Sequence, residues 1–207
     1  MALQGSLFDT GSAVGPGPLV PGLSRTELGD GAWVDFRPDW VTGADTLFHR
    51  LLPIVPWRAE RRPMYDRVVA VPRLLSFYGE GETLPDPALE AAREALDRQY
   101  SDELGEPFAT TGLCLYRDGA DSVAWHGDTR GRGQTEDTMV AIVSLGARRR
   151  LLLRPRGGGK GRRFELGRGD LLVMGGSLQR TWEHSVPKTA RPVGPRISVQ
   201  FRPRGVS

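Results

Sequence analysis

In the run Trp125-His126-Gly127-Asp128-Thr129 a histidine and an aspartate stand two residues apart. On an extended strand that spacing turns both side chains to one face, close enough to share a cation. The pair is short and recurs by chance, so the chemistry requires a third ligand. His184, in the strand-like Thr181-Trp182-Glu183-His184-Ser185-Val186, is the only histidine further along the chain. His126, Asp128 and His184 form a two-histidine, one-carboxylate set. Such a set suits iron(II) and leaves it positions for a chelating co-substrate and dioxygen.

A second pattern lies near the end of the chain. Arg196-Ile197-Ser198-Val199-Gln200-Phe201-Arg202 alternates strictly, with Arg, Ser, Gln and Arg on one face and Ile, Val and Phe on the other. If the apolar face packs outside a β-roll, Arg196 and Arg202 point into its mouth. A guanidinium buried there needs an anion, which a dicarboxylate co-substrate would supply. The opposite orientation would leave both arginines merely solvated.

The elements that must position these groups are short strands. From residue 110 onward, β-branched or alternating runs broken by Gly and Pro fall at 111–117, 121–126, 138–145, 149–154, 162–166, 171–174, 181–186 and 195–202. Strands in that number and of that length predict a double-sheet jelly roll, an α+β but mainly β fold, with helices ahead of it. One helix is signalled after Asp45 by Leu47, Phe48, Leu51, Leu52 and Val55, limited by Pro53 and Pro56. His49 lies beside that stripe and is read as structural. A second helix starts at the cap Asp86 with Pro87 and Glu90 in its first turn, buries Leu89, Ala92 and Leu96, and is expected to end near Tyr100.

Composition sets the outer limits. The 207 residues suffice for one domain, expected at 31–207 behind a Gly/Pro/Ser-rich leader at 1–30. A single cysteine, Cys114, excludes an intrachain disulfide and fits a reducing cytoplasm. No signal-peptide pattern and no membrane-length apolar run is visible, so a soluble monomer is expected. The net charge is +3, and Arg148, Arg149, Arg150, Arg154, Arg156, Lys160, Arg162 and Arg163 crowd one stretch. That block suits a polyanionic partner, or else is a solvated face.

Taken together, Leu115-Tyr116-Arg117-Asp118-Gly119, His126-x-Asp128, His184 and the Arg196-x5-Arg202 ending resemble the AlkB family of iron(II)- and 2-oxoglutarate-dependent dioxygenases. The resemblance covers roughly residues 30–204. Val71-Pro72-Arg73 followed by Tyr78-Gly79 is similar to a signature of its DNA-repair branch. The resemblance implies a jelly-roll core at about 111–204 behind a nucleic-acid recognition region at about 31–110. It implies iron held by His126, Asp128 and His184, with Arg196 on the distal carboxylate of 2-oxoglutarate. Tyr116 would hydrogen-bond the co-substrate, and Arg202 would lie near its proximal carboxylate and Asp128. Cys114 and Ser198 stand where the family usually has asparagines, so contacts to the co-substrate differ there.

The implied activity is oxidative dealkylation of N-alkylated DNA bases such as 1-methyladenine and 3-methylcytosine. It consumes dioxygen and 2-oxoglutarate and yields succinate, carbon dioxide and formaldehyde. Arg73 is assigned to the substrate by the same resemblance. The segment after Gly79 lacks the aromatic residues with which relatives sandwich a flipped base, and Tyr78 and Trp125 are the substitutes the sequence offers. Trp125 immediately precedes the first ligand, so alternation directs it away from His126. A hairpin over residues 61–67 would probe the duplex with Met64 and Tyr65, and segments 60–73 and 148–163 would contact phosphates. In the leader, Gln4-Gly5-Ser6-Leu7-Phe8 resembles the short peptides that dock bacterial repair proteins onto a sliding clamp, which marks Gln4, Leu7 and Phe8. Two rivals stand beside this reading. One is a dioxygenase acting on RNA or on a substrate other than nucleic acid, and the other is a non-catalytic nucleic-acid-binding jelly roll with structural histidines.

Overall fold

The computed structural model describes residues 13–64 and 67–206. In chain order the elements are β1 (Gly15–Pro16), β2 (Ser24–Gly29), β3 (Ala32–Arg37), β4 (Val41–Thr42), α1 (Ala44–Ile54), β5 (Arg58–Met64), β6 (Arg67–Tyr78), α2 (Pro87–Leu104), β7 (Thr110–Tyr116), β8 (Val123–His126), β9 (Val140–Gly146), β10 (Arg149–Pro155), β11 (Arg162–Leu166), β12 (Asp170–Gly176), α3 (Leu178–Thr181), β13 (Trp182–Val186) and β14 (Arg196–Arg202). The eight strands expected after residue 110 all form, within a few residues of their expected bounds.

Two antiparallel sheets make the jelly roll. The larger has the order β2-β3-β12-β9-β14-β7-β6-β5 and the smaller β11-β10-β13-β8. The central strands of the larger sheet are buried on both faces. On one, Leu113, Leu115, Ala141, Val143, Leu145, Leu171, Val173, Ile197, Val199 and Phe201 pack against Leu47, Leu51, Leu89 and Leu96 of α1 and α2. On the other, Cys114, Tyr116, Val140, Ile142, Leu172 and Met174 meet Leu151, Leu153 and Val186 of the smaller sheet. Each such aliphatic side chain contributes about 1.5–3 kcal/mol by leaving water. Because successive residues of a strand face opposite sides, this packing puts Arg196, Ser198, Gln200 and Arg202 between the sheets.

The helices follow local signals. Asp86 accepts the Ala88 backbone N–H at 2.9 Å, Pro87 opens α2, and Gly105 closes it in the left-handed region at φ 76°. The helix runs one turn past the expected Tyr100, which is itself buried and donates to Asp35 Oδ2 at 2.9 Å. Asp45 does not cap α1. The preceding residue is Gly43 at φ 64°, and Pro53 is tolerated inside the last turn, where little helix remains to be interrupted. His49 is exposed on α1, its Nδ1 2.7 Å from the Asp45 carbonyl.

The boundary expected at residue 31 is displaced. β1 pairs with β4, and β2 adds an edge strand to β3. Composition pointed to a leader because β2, Ser-Arg-Thr-Glu-Leu-Gly, is almost wholly exposed and carries no apolar run. It is held by backbone pairing and by Arg25, which chelates Asp35 at 2.8 Å and stacks 3.6 Å from the Trp33 ring centroid.

Candidate metal centre and co-substrate cavity

β8 and β13 are neighbours in the smaller sheet, and His126 pairs directly with His184. Their ring centroids are 4.2 Å apart. Asp128 lies just beyond β8, with its Oδ1 3.7 Å from His126 Nε2. One ligand atom from each of the three residues falls within 4.8 Å of the others. The sequence-expected triad is therefore assembled.

Each ligand is held by a second contact. His126 Nδ1 lies 2.8 Å from the Ala124 carbonyl, which assigns its proton to that nitrogen and leaves Nε2 for a cation. Asp128 Oδ2 accepts Arg202 Nε at 2.7 Å, and its backbone N–H donates to Gln179 Oε1 at 2.8 Å. His184 is buried, and its Nδ1 has no hydrogen-bond partner among the described residues. Gly127 between the ligands is required by space, since a Cβ there would lie 2.4 Å from the Gln179 carbonyl oxygen.

The electrostatics favour a divalent metal. Burial, reinforced by His126 and Arg202, pulls His184 down to about 3, so its imidazole is neutral and free to ligate at physiological pH. Burial alone would raise the Asp128 carboxyl. Arg202 and the two histidines outweigh it and hold Asp128 below the ordinary carboxylate range, as an anion. Two imidazole nitrogens and one carboxylate form the donor set of a facial iron(II) site.

The metal end opens onto a cavity whose floor is the inner face of the larger sheet. Arg196 pairs with Tyr116, Ser198 with Cys114 and Gln200 with Gly112. On the other side of β7, Leu75 faces Cys114 and Phe77 faces Gly112. Arg73, two residues before Leu75 on β6, continues that face beside Tyr116 and lines the same cavity. The polar residues form a ladder. Gln200 Nε2 donates to Ser198 Oγ at 2.7 Å, and Cys114 Sγ donates to Gln200 Oε1 at 3.6 Å.

Arg196 is the telling side chain. It is 1% exposed, its Nε donates to Ser144 Oγ at 2.7 Å, and its Nη1 has no hydrogen-bond partner among the described residues. Burial lowers its pKa, opposed by Tyr116, whose ring centroid lies 5.2 Å from the guanidinium carbon. A buried guanidinium with an open N–H is costly unless an anion completes it. Arg73, half-buried on the same cavity, donates from Nη1 to the Ser122 carbonyl at 3.1 Å, and its buried Nε has no hydrogen-bond partner among the described residues. Tyr116 between them keeps its proton, since burial pushes the phenol up to about 12. With cations at one end and metal ligands at the other, the cavity fits a dicarboxylate that also chelates a metal.

Several expected residues lie elsewhere. Tyr78 packs against the outer core cluster with the helices and does not face the cavity, because it follows the inward-facing Phe77 on the strand. Trp125 faces the outside of the smaller sheet, where the Arg154 guanidinium lies 4.2 Å from its ring centroid, so it is neither a core residue nor a cavity wall. Arg149 is removed from the basic surface. It is buried and donates to the carbonyls of Asp118, Asp121 and Pro187 at 2.8 Å each. Arg150 is paired with Glu165, and Arg154 and Arg156 with Glu183. Met64 ends β5, where the expected hairpin with β6 does form, while Tyr65, Gln4, Leu7 and Phe8 lie outside the described residues.

Sequence reasoning did not single out Gln179, Ser144, Gly127 or Gln200 as parts of the site. Alternation on β14 could have added Gln200, but nothing local to the short α3 marks Gln179.

The family model described as "2OG-Fe(II) oxygenase superfamily" matches residues 77–202. The chain is 32% identical over 205 residues to the Bos taurus protein named alpha-ketoglutarate-dependent dioxygenase alkB homolog 3, covering 89% of this chain and 69% of that one. It is 34% identical over 226 residues to an Arabidopsis thaliana protein named DNA oxidative demethylase ALKBH2, covering 88% and 70%. Among solved structures, that of OsALKBH1 superposes with a TM-score of 0.59 at 17% identity, over 86% of this chain and 100% of that one.

Proposed function

The chain belongs to the AlkB type within the 2OG-Fe(II) oxygenase superfamily, and from that premise we propose that it removes alkyl groups oxidatively from damaged bases in DNA. It is an Fe(II)- and 2-oxoglutarate-dependent dioxygenase. The observation that carries the chemistry is the juxtaposition on one cavity of the His126, Asp128 and His184 triad and the buried, incompletely paired Arg196. Support for a nucleobase substrate comes from the likeness to a relative named as a DNA oxidative demethylase.

His126, Asp128 and His184 would hold the metal, which with 2-oxoglutarate and dioxygen supplies the oxidant that hydroxylates an N-alkyl carbon. The protein's own groups do the positioning. Arg196 fixes one carboxylate in a bidentate manner that lysine could not reproduce. Arg202 keeps Asp128 ionised and oriented. Leu151, Val140, Ile142 and Val186 wall the cavity with apolar groups and keep water from the reacting carbon. A hydroxylated methyl group then leaves as formaldehyde, with no protein nucleophile involved.

An alkyl group on a Watson–Crick nitrogen weakens pairing and lowers the cost of extruding the base into the cavity. The β5–β6 hairpin at the sheet edge, with exposed Arg58 and Arg61, would lie along the phosphates, and binding would weaken with added salt.

The test is mass spectrometry of oligonucleotides carrying 1-methyladenine or 3-methylcytosine after incubation with protein, iron(II), ascorbate and 2-oxoglutarate, beside His126→Ala. Methyl loss that requires both the intact triad and 2-oxoglutarate is the expected result. Succinate formation without methyl loss would remove the base from the reading and direct the search to RNA or another substrate.

A further inference from the structure

Cys114 is the chain's single cysteine, and it lines the cavity. Dioxygenase chemistry gives its thiol no task. Strand register sets its place. On the inner face of the larger sheet Arg196 stands opposite Tyr116, and one step nearer the metal Ser198 stands opposite Cys114. Gln200 and then Arg202, which bonds the ligand Asp128, follow on β14. Cys114 and Arg196 are therefore diagonal neighbours on one face, roughly 7–8 Å apart at the backbone. Arg73 lines the same cavity, and the sulfur is near enough to act electrostatically on both guanidinia. Gln200 Oε1 accepts the S–H at 3.6 Å.

A thiol alone specifies no ligand. The independent mark is Arg196, enclosed in the same cavity with an Nη1 that has no hydrogen-bond partner among the described residues. It calls for a carboxylate. A carboxylate held there sends the carbons that follow it toward the metal end, across the row that carries Cys114. 2-Oxoglutarate is saturated at those carbons, so it passes the sulfur without reacting. A dicarboxylate that is unsaturated there presents an electrophilic carbon to the thiol.

We propose that Cys114 is a covalent capture site for a short α,β-unsaturated dicarboxylate, which Arg196 holds by one carboxylate while the sulfur adds to it. The inference rests on the dicarboxylate reading of the cavity and adds a reaction that the dioxygenase cycle does not contain. A bond forms between Cys114 Sγ and one alkene carbon, the π bond breaks, and the thiol's proton ends on the other alkene carbon. No oxidant or reductant enters, and the product is a thioether. Sulfur is the most nucleophilic of the side-chain atoms available for such an addition. Arg196 and Arg73 stand where they can balance the negative charge that spreads onto the acid as the S–C bond forms. The thioether keeps both carboxylates and fills the co-substrate's place. Capture therefore silences the enzyme while leaving its metal ligands intact, and makes it responsive to unsaturated dicarboxylates.

The full chain, loaded with Mn(II), is incubated with fumarate, and the peptide carrying Cys114 is followed by mass spectrometry. The expected product is one fumarate added at Cys114, absent from Cys114→Ser and suppressed by excess N-oxalylglycine, with no adduct from succinate. Arg196→Met should slow labelling by fumarate at least about tenfold, the loss of one charge-assisted contact. It should leave the rate with dimethyl fumarate, which offers no carboxylate, unchanged; that second reagent also shows that the variant keeps a folded cavity. Equal fumarate labelling of wild type and Arg196→Met overturns the site as a held ligand's. A wild type that gains no fumarate, although N-oxalylglycine raises its melting temperature, overturns capture alone. A melting temperature that does not respond to N-oxalylglycine overturns the dicarboxylate reading, and capture with it.

Discussion

Arg202 Nε donates to Asp128 Oδ2 at 2.7 Å across 74 residues of chain, which ties the last strand of the jelly roll to the carboxylate ligand of the metal centre. The guanidinium does two things at once. It orients Asp128 so that Oδ1 remains for the cation, and it holds the carboxyl below its ordinary range against the opposing effect of burial.

Removing that guanidinium exposes both roles. Arg202→Met should weaken Mn(II) or Fe(II) binding about 10- to 100-fold, the usual effect of losing a group that positions a ligand. With the Asp128 carboxyl released upward, protons should displace the metal at a higher pH than in wild type. Titration of Mn(II) by electron paramagnetic resonance across pH 4–8 reads both effects. An unaltered affinity would mean that the contact is only structural.

Arg196 gives a prediction with opposite signs for stability and binding. Its unpaired buried charge is a burden in the absence of an anion, so Arg196→Met should raise the melting temperature of the unliganded protein, by up to about 1–4 kcal/mol of stability. The same variant should lose the stabilisation that 2-oxoglutarate with Mn(II) confers on the wild type. Arg196→Lys should bind the co-substrate at least about tenfold more weakly, because a point charge does not reproduce the two-pronged contact. Thermal shift with and without co-substrate separates these outcomes, and equal ligand-induced shifts in all three proteins would refute the assignment.

Gly127→Ala is expected to disable the centre without touching a ligand. The added methyl would collide with the Gln179 carbonyl and the Arg156 guanidinium, so the His126-to-Asp128 link must move. Metal affinity should fall by more than about tenfold, while the far-ultraviolet circular dichroism of the jelly roll persists. A variant that binds metal normally would show that the link has room to spare.

His184 predicts how the metal-free protein responds to acid. It is held at about 3 in the folded chain against about 6.5 when unfolded, so the unfolded state takes up the proton first. Stability is therefore whole above about pH 6.5 and is lost as the pH falls from there toward 3, by an amount on the order of 4 kcal/mol. Melting temperatures in chelator should decline over this interval in the wild type and less steeply in His184→Leu. A decline of the same size in both would place the acid sensitivity elsewhere.

The chemistry of this protein was legible in sequence wherever it depended on residue type and strand alternation. A period of two is a strong constraint, so His126 with Asp128, and Arg196 with Ser198 and Arg202, could be placed on common faces before any tertiary contact was known. The same rule located the eight strands of the roll and turned Trp125 away from the metal. The caps of α2 were equally local, because Asp86 and Pro87 act on their own helix. Strand alternation does not say which face meets the core. Tyr78 and Phe77 are adjacent aromatic residues, and only the packing of β6 between β5 and β7, with helices on one side, decided that Tyr78 is covered and Phe77 is exposed. Charge runs are ambiguous for a related reason. Arg149 reads like its neighbours, yet the fold encloses it among three carbonyl oxygens, while Glu165 and Glu183 reach across strands to Arg150, Arg154 and Arg156. Gln179 became part of the metal centre only because α3 returns past the His126–Asp128 link. The sequence by itself determined the donor atoms and their strand faces, which are local properties. The tertiary structure decided which of those faces are enclosed, because burial, pairing and the cost of an unmet charge arise only when strands distant in sequence pack together.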